Sequence, residues 1–78
     1  MPKKFRWIAD DIDISSFYDK LSEDVKELIL EAEVADLSDS MGGYYTACDN
    51  IEVYSKLLVP KVITVEEWEL LCKKYYPV

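Results

Sequence analysis

The chain has 78 residues, half of them hydrophobic and 32% charged, with a formal net charge of −7 and no histidine. This composition suits one small folded domain spanning 1–78 rather than a disordered tail. No apolar run approaches the roughly 18 to 20 residues of a membrane span, and no signal-peptide core is visible, so a cytoplasmic protein without membrane partners is expected.

Taken in order, the chain begins with an arm over 1–9, in which Phe5-Arg6-Trp7-Ile8 is too apolar to be left in water. Extended, it would lay Phe5 and Trp7 or Ile8 over one side of the core. A strand is the weaker reading, because Val62-Ile63 is the only other β-branched pair that could join it and a lone short strand is marginal. Asp10-Asp11-Ile12-Asp13 reads as a turn, with Asp13 a candidate N-cap. It would open a short first helix over 14–21, with Ile14, Phe17, Tyr18 and Leu21 at i, i+3, i+4 and i+7.

Ser22 is a second N-cap signal, followed by Glu23 and Asp24 where the helix dipole favours acids. The helix it opens, 22–37, is the one around which the rest must be arranged. Leu21, Val25, Leu28, Ile29, Ala32 and Ala35 share one face, and Leu30, Val34 and Leu37 widen it into an arc that calls for neighbours on two sides. An arc that broad leaves homodimerisation open. SDSMGG over 38–43 ends the helix, with Gly42 and Gly43 supplying positive φ or close backbone approach.

A third helix is expected over 44–58, with Tyr44, Ala47, Cys48, Ile51, Tyr54 and Leu58 on one face and Tyr45, Asp49, Glu52 and Lys56 on another. Pro60 stops it. Thr64-Val-Glu-Glu matches a capping box for a fourth helix over 65–75, where Val65, Trp68, Leu71, Cys72 and Tyr75 form an apolar stripe, Lys73 and Lys74 suit the C-terminal end, and Pro77 stops the helix. The fold expected is therefore all-α: a small four-helix bundle, its first helix short, with an extended N-terminal arm.

Most chemistry fails on missing parts. Cys48 and Cys72 form no Cys-x-x-Cys pair and there is no histidine, so zinc and histidine-metal sites lack ligands. Both cysteines fall on apolar helix faces, where a thiol acts as a small hydrophobe; free thiols are expected in a reducing cytosol, although adjacent helices would allow a disulfide. Calcium-loop frames from Asp11 or Asp36 place Ser16 or Met41 where the sharp-turn glycine belongs, and Ser22 or Ala47 where the bidentate glutamate belongs. The acids there are better explained as helix caps. No Gly-x-Gly-x-x-Gly or phosphate loop occurs, and a bundle this small leaves little room for an active-site cleft. Neither catalysis nor a cofactor or metal is expected.

Charge placement speaks to partners. Residues 1–9 carry Lys3, Lys4 and Arg6 for +3, residues 10–39 carry eleven acids against Lys20 and Lys26 for −9, and residues 40–78 stand at −1. Direct nucleic-acid binding is opposed: a helix-turn-helix made of the last two helices would present Glu66, Glu67 and Glu69 to phosphate, and the three basic residues of the arm are too few. A protein partner with a basic surface fits instead. Glu23, Glu27 and Glu31 recur at i, i+4 and i+8, although like charges at that spacing cost about 0.2 to 0.5 kcal/mol per pair. Such a row either keeps the protein soluble or engages a basic groove. Tyr45 and Tyr76 fall off the apolar faces, and tyrosine anchors interfaces at low entropic cost.

The reading is a small acidic cytosolic interaction module that meets its partner through Glu23, Glu27, Glu31, Tyr45, Asp49, Glu52 and Tyr76. The alternative is a nucleic-acid-mimicking inhibitor, of phage or mobile-element type, directed at a basic nucleic-acid-binding protein.

Overall fold

The structure, a computed structural model, describes residues 7–76; Lys3, Lys4, Phe5, Arg6 and Pro77 lie outside them. Those residues form three helices, α1 Glu23–Leu37, α2 Met41–Lys56 and α3 Val65–Lys74, preceded by a 3-10 turn at Tyr18–Lys20. The class is all-helical, with no strand among the described residues. The expected short α-helix over 14–21 is not formed. The Asp13 carboxylate accepts the Ser15 N–H at 2.9 Å, a local turn that competes with a helical start. The segment then runs on i to i+3 bonds, Phe17 to Ile14, Lys20 to Phe17 and Leu21 to Tyr18. Its apolar spacing still serves burial: Ile14, Phe17 and Leu21 all enter the core.

α1 starts as its caps dictate, the Ser22 hydroxyl accepting the Val25 N–H at 3.3 Å. Its end differs from the glycine break expected. Asp39 takes the left-handed conformation (φ 59°), the Ser40 N–H reaches back to the Ala35 carbonyl at 2.8 Å and the Asp39 N–H to that of Asp36 at 3.3 Å. That pair of bonds is a Schellman closure with aspartate in the glycine position, which Asp tolerates better than most residues. Gly42 and Gly43 instead form the first turn of α2, neither with positive φ. A Cβ on Gly43 would lie 3.1 Å from Ser40 Oγ and 3.5 Å from Ala35 Cβ, so its role is close approach of α2 to α1.

The tight connection folds α2 back on α1 as a helical hairpin. Val25, Leu28, Ile29, Ala32 and Ala35 of α1 and Tyr44, Ala47, Cys48 and Ile51 of α2 share one core with Ile63, Leu71 and Tyr75, α3 packing on α2. α2 ends at Lys56, before Pro60. Pro60 has no N–H for the Lys56 carbonyl, which takes the Val59 N–H at 3.1 Å. α3 opens on the expected capping box: Glu67 N–H to Thr64 Oγ1 at 3.0 Å and Thr64 N–H to Glu67 Oε1 at 2.9 Å.

The start of the described chain is tied down along its length. The Trp7 N–H donates to Asp36 Oδ1 at 3.1 Å, Lys74 Nζ donates to the carbonyls of Ala9 (3.1 Å) and Ile12 (2.8 Å), and the Trp7 and Tyr44 rings lie 5.1 Å apart. Ile8 is buried in the core. α1 is not enclosed on two sides as its broad arc suggested. Leu30, Val34 and Leu37 are 63%, 56% and 75% exposed, because α2 packs on the opposite face of α1, that of Val25, Ile29 and Ala32, and α3 packs in turn on α2. Tyr54 and Val65, placed on apolar stripes by spacing, are also exposed, since each lies at the margin of its helix's contact face.

Candidate functional site

Four of the seven residues expected to bind a partner come together between α2 and α3. Tyr45, Asp49 and Glu52, at i, i+4 and i+7 of α2, make one wall of an open groove of about 400 Å³, and Trp68, Glu69, Lys73 and Tyr76 make the other. The spacing on α2 keeps its three side chains on one stripe. The indole of Trp68 donates to the Glu52 carbonyl at 3.3 Å, and Lys56 Nζ lies 5.7 Å from its ring, so Trp68 is held as a fixed aromatic wall. Tyr45 and Tyr76 stand 53% and 65% exposed at the rim. Three carboxylates against Lys73 leave the groove acidic.

Cys48 and Cys72 both line this groove and both are free, the first buried and the second half-buried. Burial moves Cys48 from the usual 9.0 to about 11; burial, helped by the nearby Glu52 and Glu69 charges, does the same for Cys72. Both are therefore neutral thiols near pH 7, poor nucleophiles and poor metal ligands. The folded chain holds these protons to higher pH than the unfolded chain, so they contribute stability that is lost as pH rises between about 9 and 11. Cys48 should stay unreactive toward dithionitrobenzoate at about pH 8 and react at once on unfolding, with Cys72 reacting slowly in the folded chain. Rapid reaction of Cys48 in the folded protein would contradict a closed groove floor. Behind Cys48, the Tyr44 hydroxyl is fully buried with the Cys48 thiol as its hydrogen-bonding neighbour.

The other three expected residues lie apart from the groove. Glu23, Glu27 and Glu31 are exposed on α1; Glu27 and Glu31, with Asp24, flank a shallow recess of about 220 Å³ beside Leu28 and Tyr54. One charge row and one aromatic groove are thus separate surfaces. Sequence reasoning missed Trp68 and Glu69 as groove residues. Trp68 falls on the apolar stripe of α3 by spacing, although a tryptophan next to two glutamates is a signal for a partly wet position.

A roomier cleft of about 640 Å³ lies between the N-terminal segment, α1 and α3, with Asp13, Tyr18, Ile29, Leu30 and Lys74 among its lining. Lys74 is committed there to two carbonyls, and the backbone and side chain of Ser15 hold the Asp13 carboxyl below the usual carboxylate range. Among the described residues no group of three His, Cys, Asp or Glu side chains could hold a metal ion, and no helix is long and apolar enough to cross a membrane. No protein-family model matches the chain, no curated protein matches it, and no solved structure matches it.

Proposed function

We propose that this is a small protein-binding module without catalytic activity, acting in the cytosol and using the α2–α3 groove to hold a basic segment of a partner protein. The observation that carries this is the convergence of Tyr45, Trp68 and Tyr76 with Asp49, Glu52 and Glu69 on one open groove. Aromatic faces and carboxylates together suit the side chain of lysine or arginine on an otherwise apolar segment. The groove thiols, held neutral near pH 7 by burial, are poor nucleophiles, which supports a binding role over a catalytic one.

The test is affinity capture from the native cell with the wild-type chain and with Tyr45→Ala and Tyr76→Ala. Each variant should reduce recovery of the specific partner by about tenfold, the effect of losing an interface anchor. Equal recovery by all three chains would rule the groove out. The second reading, a nucleic-acid mimic, is favoured by Glu23, Glu27 and Glu31 being exposed together on α1, at a rise of about 6 Å per step. Capture through that row should collapse with rising salt and be competed by DNA or RNA, whereas capture by the groove, anchored by aromatics as well as carboxylates, should weaken only in part with salt and not be competed.

A further inference from the structure

The outer face of α1 carries a second pattern, independent of the groove. Glu23, Glu27, Leu30, Val34 and Leu37 follow one another at alternating steps of four and three along α1, the spacing of a single helical seam. All five are exposed, opposite the buried Val25, Ile29, Ala32 and Asp36. The seam is divided: acidic over its N-terminal half and apolar over its C-terminal half. The nearby lysines are engaged elsewhere, Lys20 with Glu67 at 3.8 Å and Lys26 against the Tyr18 ring at 5.5 Å. Beside the apolar half opens a cleft of about 410 Å³, with Leu30, Val34, Ala35 and Gly43 along it and Glu31, Ser38 and Ser40 at its edge, room for a large apolar side chain.

We infer that this seam docks an amphipathic helix of another protein, antiparallel to α1, apolar in its N-terminal half and rich in lysine or arginine in its C-terminal half. A second copy of the chain is a poor occupant in either direction. Parallel pairing sets Glu23 and Glu27 against their own copies, and antiparallel pairing presses them onto Val34 and Leu37, desolvating carboxylates without a partner. A basic helix removes both problems. Antiparallel docking also places its cations at its own C-terminus, where the helix dipole favours them, opposite acids that sit at the favoured N-terminus of α1. The mode is helix-in-seam recognition, with Leu30, Val34 and Leu37 as contact points for apolar anchors.

Three synthetic helical peptides test it against the full chain by fluorescence anisotropy. The first has leucines along the seam of its N-terminal half and lysines along that of its C-terminal half; the second exchanges the halves; the third replaces lysine with glutamate. The first should bind about tenfold or more tightly than the second, and the third should not bind. Val34→Glu and Glu27→Lys should each weaken the first peptide about tenfold or more, with circular dichroism confirming that both variants remain folded, and Leu57→Ala, exposed and outside both surfaces, should leave its affinity unchanged. The inference is overturned if the first peptide fails to bind or binds no better than the second. It is equally overturned if Tyr45→Ala abolishes binding while Val34→Glu does not, or if the chain sediments as a dimer that Val34→Glu dissociates. Because the groove and the seam share no residue in these tests, failure of one leaves the other standing.

Discussion

Phe17→Ala should lower the free energy of unfolding by about 3 to 5 kcal/mol, measured as a shift of the urea midpoint. Phe17 is 1% exposed, yet it lies in the segment that forms turns instead of the expected helix. With i to i+3 bonds only, that segment has little backbone reason to hold its shape, and it stays in place because Ile14, Phe17 and Leu21 are seated in the core. Truncating the largest of the three leaves a cavity and loosens the segment together. A domain of this size has a total stability of roughly 4 to 12 kcal/mol, so the variant should lose about a quarter of it or more. Leu57→Ala, at a position 78% exposed, should fall within about 0.5 kcal/mol of wild type. If Phe17→Ala behaved like Leu57→Ala, the N-terminal segment would not be docked as described.

Asp36→Ala is the second large effect, about 1 to 3 kcal/mol of destabilisation. Asp36 is fully buried in the last turns of α1, where an acid opposes the helix dipole and has no water to solvate it. Its carboxylate accepts the Trp7 N–H at 3.1 Å, and removal takes that acceptor away in a partly buried place. Asp36→Asn, which keeps an oxygen in the same place, should cost less than Asp36→Ala. The near-ultraviolet dichroism of the Trp7–Tyr44 pair, with centroids 5.1 Å apart, should weaken in the alanine variant. An unchanged aromatic signal together with unchanged stability would show that Asp36 does not position the start of the described chain.

Helical spacing groups the acids and aromatics of each helix without saying that they fall on two separate surfaces. Glu23, Glu27 and Glu31 share a face by helical spacing alone, as do Tyr45, Asp49 and Glu52. Joining Tyr45 to Trp68 and Tyr76 requires knowing how α3 crosses α2, and no local pattern carries that.

What the amino-acid order determined by itself is the set of helices that carry their own signals. Ser22 and Thr64 start α1 and α3 where expected because a cap is a contact between residues three apart. Most core positions followed from the helical period for the same reason. Tertiary structure alone decided the rest: that 14–21 settles as turns, that Asp39 rather than a glycine closes α1, and that Leu30, Val34 and Leu37 stay exposed to solvent. Periodicity states which side chains share a face, whereas burial depends on which other elements arrive to cover it, and here they arrive on one side of α1 only.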